Sequence, residues 1–178
     1  MNKSLIEKQS RDLVLKRSNS SLRITNKILS TSVKFINNSI AKQDEVWIET
    51  LWKWADDNAI SKNLIPRQKY ELINLEKLNL NGTDLNYVIE EICYLKNLSF
   101  LDLSNNNLKF LPNQIGNLKK LTFLSIVGNR ITKLPKSIVE LKRLNAFWVA
   151  GNSDLGGLSS EQETWLKDLK GQGCYIYH

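Results

Sequence analysis

Four leucines stand at a constant interval of 23 residues: Leu75, Leu98, Leu121 and Leu144. Each begins a copy of the pattern L-x-x-L-x-L, in which Phe, Ile or Val replaces the second or third leucine in the last two copies. The two-residue step in this pattern places both apolar side chains on one face of a short strand. Each of the first three copies ends in I-x-x-L, whose three-residue period suits one helical or 3₁₀ turn. Since one such unit cannot bury its apolar face alone, the repeats predict a stack with a continuous core and a parallel sheet.

The ninth position of each copy is polar. It is Thr83 in the first copy and then Asn106, Asn129 and Asn152. A turn leaves backbone groups pointing inward without partners, and a carboxamide has both the acceptor and the donors to bridge them. We therefore expect these asparagines to bind backbone groups of neighbouring repeats.

The combined pattern LxxLxLxxNxLxxLPxxIxxL resembles the leucine-rich repeat family. Its LPxxIxxL half resembles the class found in Ras-binding and scribble-type scaffold proteins and in many bacterial proteins. Pro112 and Pro135 recur inside the pattern and argue against a leucine-rich bundle of continuous helices. The resemblance implies an α/β fold, a short solenoid whose parallel β-sheet lies on the concave face.

The composition divides the chain into four predicted segments. These are a basic amphipathic helical segment (1–42), a capping helix with a degenerate half repeat (43–74), the repeats (75–152) and a C-terminal cap (153–178).

The capping helix begins at Gln43 or Asp44 and carries Trp47, Leu51 and Trp54 on one stripe. A stack of repeats has an exposed apolar end, so we predict that this stripe covers it rather than forming a cofactor site.

The C-terminal cap has a helix signal followed by a strand signal. Ser160 and Glu163 have the spacing of a capping box, and the helix that follows should end at Gly171. Residues 174–177 alternate like a strand, which we expect to close the edge of the sheet. Cys174 and His178 alone do not make a metal site.

The basic charge is concentrated at the N-terminus. Residues 1–45 contain nine Lys or Arg against four Asp or Glu, a net +5 of the total +7. Three interpretations stay open: a helical cap with a solvated basic face, a surface for anionic lipid or an acidic partner, and a targeting or secretion segment. The scarcity of aromatics in this stretch argues against nucleic-acid binding.

No catalytic constellation is visible. The one histidine is the last residue, and no phosphate-binding glycine motif occurs. We therefore expect no enzyme activity, no cofactor and no metal. No apolar run approaches the length of a membrane span, and the two cysteines, Cys93 and Cys174, imply no disulfide framework. These features predict a protein of a reducing compartment, the cytoplasm, with no stable membrane insertion.

In a leucine-rich solenoid, the residues between the leucines of each strand face the concave side. Candidate binding residues on this face are Phe100, Asp102, Phe123, Ser125, Trp148 and Tyr175. A line of aromatics across neighbouring strands is typical of a binding anchor. The alternative is that the rings only stabilise the sheet by packing on each other.

Two hypotheses of function follow. The first is a non-catalytic scaffold that binds a protein partner through its concave face. The second is a secreted bacterial effector, in which the basic N-terminus directs secretion or makes peripheral contact with a membrane while the repeats bind a host protein. The Lys-, Asn- and Ile-rich usage suggests a bacterial source.

Overall fold

The computed structural model describes residues 45–153 and 155–178, and Trp47–His178 form one compact unit. The predictions for segment 1–42 lie outside the described residues. The elements are, in chain order and with η for a 3₁₀ turn, α1 (described over 45–57), α2 (Lys69–Ile73), β1 (Lys77–Asn79), η1 (Glu90–Tyr94), β2 (Phe100–Asp102), η2 (Ile115–Asn117), β3 (Phe123–Ser125), η3 (Lys136–Glu140), β4 (Ala146–Trp148), α3 (Ser160–Gly171) and β5 (Tyr175–Tyr177).

The five strands form one parallel sheet in the order of the sequence, β1 to β5. The register aligns Leu78 with Leu101, Leu101 with Leu124, Leu124 with Phe147, and Phe147 with Ile176. The 23-residue interval therefore becomes one step across the sheet. The predicted fold class, an α/β leucine-rich solenoid with a parallel sheet, is confirmed. Strands β1 to β4 each begin one residue before the predicted L-x-L step and end one residue before its second apolar position, so the first apolar residue of the step lies at the centre of the strand.

The core is a set of superimposed rows of side chains, one residue per repeat. Strand positions supply one row, and the I-x-x-L steps supply others at η1, η2 and η3, where Ile92, Ile115 and Ile138 are all buried. Each side chain in a row is covered by the equivalent side chains of the preceding and following repeats. A single repeat has no such neighbours. The apolar surface thus becomes buried only through stacking.

The asparagine ladder, formed by Asn106, Asn129 and Asn152, bridges successive turns as predicted. The Asn129 side-chain amide donates to the carbonyls of Leu103 at 2.9 Å and Ile126 at 3.0 Å, while its oxygen accepts from the Leu108 N–H at 3.0 Å. Asn106 and Asn152 repeat this arrangement in their own turns. Backbone groups that face the interior are thereby satisfied where no strand or helix can satisfy them.

The N-terminal end of the stack is covered by α1. Leu51 and Trp54 are buried in the common core, and Trp52 donates its indole N–H to the Pro66 carbonyl at 2.8 Å. Ile65 and Leu72 of the degenerate half repeat have no exposed surface. The indole hydrogen bond ties the helix to the half repeat that follows it.

The C-terminal end differs from the prediction at the start of α3. The capping box lies one residue earlier, since Ser159 accepts from the Gln162 N–H and Gln162 accepts from the Ser159 N–H. Gln162 also reaches the Leu134 carbonyl at 3.0 Å, which a glutamate could not do as a donor. The predicted last strand is present as β5 (Tyr175–Tyr177). It pairs with β4 and is itself the outermost strand among the described residues.

Candidate functional site

The open face of the sheet carries the side chains that alternate with the buried leucines. Because the strands are parallel and in register, residues at equal repeat positions form rows across the sheet. One row contains Lys77, Phe100, Phe123, Ala146 and Tyr175. The next row contains Asn79, Asp102, Ser125, Trp148 and Tyr177.

Four aromatic rings on this face form a continuous series, which we call the aromatic ridge: Phe100, Phe123, Trp148 and Tyr177. The Phe100 and Phe123 rings are stacked, with centroids 4.4 Å apart and planes 5° from parallel. Phe123 meets Trp148 edge to face at 5.1 Å, and Trp148 meets Tyr177 edge to face at 6.3 Å. Offset stacking and edge-to-face contacts are the arrangements that aromatic quadrupoles favour.

The ridge crosses from one row to the other between β3 and β4. Directly opposite Phe123 is Ala146, and directly opposite Trp148 is Ser125. Both small residues leave room above them, so the large rings meet along the diagonal between the rows. The small side chains of Ala146 and Ser125 thus allow the ridge to be continuous.

The sequence-based prediction placed Tyr175 in this series; in the structure the ring that contacts Trp148 is that of Tyr177, and Tyr175 is an exposed residue of the open face beside the series. Tyr175 lies opposite Ala146 and is 63% exposed, whereas Tyr177 lies opposite Trp148 and contacts it. The pairing of Phe147 with Ile176 decides this. Matching the inward residues of β4 and β5 would have identified Tyr177 from the sequence.

Ser125, also a predicted site residue, has no exposed surface. Its hydroxyl is hydrogen-bonded to that of Ser104, which is itself buried. A partner on the open face cannot reach a side chain in this position. Ser125 therefore shapes the ridge from below rather than contacting a ligand, because its small volume makes space for the rings.

Asp102, the remaining predicted site residue, is half-buried beside the ridge. Its carboxylate accepts from the Ser104 N–H at 2.9 Å, as Asn79 accepts from the Asn81 N–H in the preceding repeat. This contact holds the carboxylate at the end of the strand. Together with Lys77, it supplies the formal charge of the two rows.

Among the described residues, the titratable side chains in the buried core are two thiols. Cys93 has no exposed surface, and burial raises its pKa to about 12. Burial also raises the pKa of Cys174. Both cysteines are free. At neutral pH both are therefore neutral apolar groups that fill the core, since the thiolate is the reactive form of cysteine.

The part of the chain that the structure describes contains no cluster of three or more His, Cys, Asp or Glu side chains suited to a metal ion. Within that same part, no helix combines the length and apolarity needed to cross a membrane.

Comparison with known proteins agrees with this architecture. A family model described as a leucine-rich repeat region matches residues 58–173, which is more than half of the chain. Among solved structures, a leucine-rich repeat protein of Leptospira interrogans is 39% identical with a TM-score of 0.50. The match covers 58% of this chain but only 25% of the Leptospira protein. A comparison with curated proteins found no match. The chain belongs to the leucine-rich repeat family.

Proposed function

We propose that the chain is a protein-interaction module whose partner binds to the aromatic ridge on the concave face of the sheet. The observation that carries this proposal is the exposure of a continuous series of large rings. Trp148 is 37% and Tyr177 48% exposed, although both take part in ring contacts. A partner would cover this surface, and tryptophan and tyrosine are among the residues enriched at binding hot spots.

Packing within the sheet explains only part of this arrangement. An aromatic pair contributes about 0.5–1.5 kcal/mol beyond its area burial, so the stacked phenylalanines do stabilise β2 against β3. The same contacts leave the outer edges of Trp148 and Tyr177 in water. Burial of this remaining apolar surface by a partner supplies the driving force for binding.

The test is affinity capture with the full chain and a ridge variant, Phe123→Ala/Trp148→Ala. Tyr70→Ala is the matched control, because Tyr70 is a 78% exposed aromatic on α2, outside the sheet. Captured proteins would be quantified by mass spectrometry, and binding of each purified candidate would be measured by calorimetry. We expect a direct partner that the original chain and the control retain and the ridge variant loses, with affinity reduced by about tenfold or more.

Thermal unfolding of the same variants separates binding from packing. Retained folding with lost capture supports the proposal. If the ridge variant unfolds at much lower temperature and binding falls only in proportion to the unfolded fraction, packing is the role of the rings. Robust turnover of a substrate by the isolated chain would contradict the non-catalytic part of the proposal.

The alternative, a secreted bacterial effector, depends on residues 1–42. It is tested by flotation with vesicles that contain phosphatidylserine, using the chain with and without this segment. Flotation that requires the segment supports membrane targeting, and no lipid dependence removes it. Cytoplasmic localisation belongs to the first hypothesis and is tested by fractionating cells of the source organism.

A further inference from the structure

A second group of exposed aromatic side chains lies away from the open face of the sheet. Tyr87 and Phe110 are 23 residues apart and occupy the same position in successive repeats, between the ninth position (Thr83 or Asn106) and the 3₁₀ turn. They are 55% and 62% exposed. Lys133 occupies this position in the third repeat. Stacking therefore produces a row of two aromatic rings followed by a cation.

This row borders an open groove of about 580 Å³, which we call the outer groove. Val88, Leu111 and Leu134 line its base, and all three are buried except for a few per cent of their surface. The groove spans three successive repeats. A recessed apolar base with exposed rings at the rim suits an inserted side chain better than a flat membrane surface.

The charge of the outer groove is positive. Lys133 and Lys136 line it, and among the described residues no carboxylate lies within ion-pair distance of either. Glu90 also lines the groove, but its two carboxylate oxygens accept from the backbone N–H groups of Asn113 at 2.6 Å and Gln114 at 2.9 Å. The Glu90 carboxylate therefore fixes the next repeat, and among the described residues no acidic side chain pairs with Lys133 or Lys136.

We propose that the outer groove binds an acidic peptide segment that carries an aromatic or leucine side chain. The apolar side chain occupies the groove beside Tyr87 and Phe110, and flanking carboxylates pair with Lys133 and Lys136. This surface shares no residue with the aromatic ridge, so the chain has a second interface with a different preference. Complementary charge favours encounter and orientation, while the buried apolar anchor supplies most of the affinity.

The test uses fluorescence anisotropy with a labelled peptide, acetyl-EEDLFEDE-amide, and its charge-reversed counterpart acetyl-KKRLFKRK-amide, on the full chain. We expect the acidic peptide alone to bind, with affinity falling as NaCl rises from about 50 to about 300 mM because salt screens the lysines. Phe110→Ala and Lys133→Glu/Lys136→Glu should each weaken binding about tenfold. Tyr70→Ala should leave it unchanged.

The substituted side chains are at the surface, and circular dichroism verifies that each variant remains folded. Four outcomes would overturn the proposal. The acidic peptide could show no saturable binding below about 1 mM, or the basic peptide could bind equally well. Binding could be lost in the ridge variant but kept in the groove variants. The chain could also bind phosphatidylserine vesicles in place of the peptide.

Discussion

The inward and outward faces of each strand differ in burial and in residue type, although their residues alternate within the same three-residue strand. In β2, Leu101 has no exposed surface, whereas its neighbours Phe100 and Asp102 are half-buried on the open face. The inward position is apolar in every strand, and the outward positions include Lys, Phe, Ala, Asp and Trp. The inward face is thus set by packing, and the outward face is free to serve recognition.

The comparison also separates two kinds of repetition. Inward residues repeat because each must contact an equivalent residue above and below it. The aromatic ridge does not repeat in this way, since its rings come from both rows and meet along a diagonal between β3 and β4. The open face therefore presents side chains that differ along the sheet, whereas the inward face is uniformly apolar.

The largest effect on stability is expected on the inward face. Leu101→Ala should lower the free energy of unfolding by about 2–5 kcal/mol, because a cavity forms between two stacked neighbours. Urea denaturation followed by circular dichroism measures this loss. Lys77→Ala, on the exposed face of β1, is the control and should change stability by less than about 0.5 kcal/mol. Equal effects would end the distinction between the faces.

The asparagine ladder should come next. Asn129→Ala leaves the buried Leu108 N–H without its side-chain partner and removes one of the two side-chain amides that donate to the Leu103 carbonyl, the other being that of Asn106. We expect a loss of about 2 kcal/mol, since each unsatisfied buried group costs on the order of 1–3 kcal/mol before the site relaxes or admits water. Urea denaturation measures it, with the exposed Asn113→Ala as control. A loss no larger than that of the control would show that the ladder is dispensable.

The spacing of the 3₁₀ turns provides a third test. A Cβ atom added at Gly116 would lie 2.1 Å from the Ser137 carbonyl oxygen of the next turn. Gly116→Ala should therefore destabilise the chain by about 1–3 kcal/mol through overpacking. Gly157→Ala is the control, because no atom lies within 4 Å of its added Cβ. Equal melting temperatures for the two variants would show that the turns move apart without cost.

The buried thiol of Cys93 predicts a dependence on alkaline pH. Its folded-state pKa is raised from 9.0 to about 12, so the folded chain retains a proton that the unfolded chain releases. This contribution to stability is complete below about pH 9 and decreases as pH rises toward 12, by about 1.4 kcal/mol per pH unit. Urea denaturation from pH 8 to about 10 should show a steeper decline for the original chain than for Cys93→Ala. Parallel declines would contradict the assignment.

The smallest effect on stability is expected on the open face. Phe123→Ala removes a stacked contact and an edge-to-face contact, and should cost on the order of 1 kcal/mol because each ring is already partly exposed. Differential scanning calorimetry measures the shift. A loss as large as that of Leu101→Ala would place Phe123 in the core and weaken the case for binding.

Much of the architecture was predictable from the chain alone. The 23-residue interval predicted the stack, the parallel strands and the role of Asn106, Asn129 and Asn152. Local patterns were less reliable at the ends. Ser159 and Ser160 both offer a capping hydroxyl, and the choice depends on Gln162 reaching the Leu134 carbonyl, a contact across 28 residues.

The candidate site was predictable only in outline. Phe100, Phe123 and Trp148 were identified because repeat position determines which face a side chain occupies. The burial of Ser125 required the contacts between strands, whereas the position of Tyr177 beside Trp148 follows from matching Ile176 with Phe147.

The sequence by itself determined which residues face the core, because a side chain's face follows from the two-residue period of a strand and the constant length of the repeat. Only the tertiary structure decided which outward side chains touch each other, which are covered and which cations remain unpaired. Those properties depend on the sizes and hydrogen bonds of neighbours brought together by stacking, and the pattern of a single repeat does not contain them.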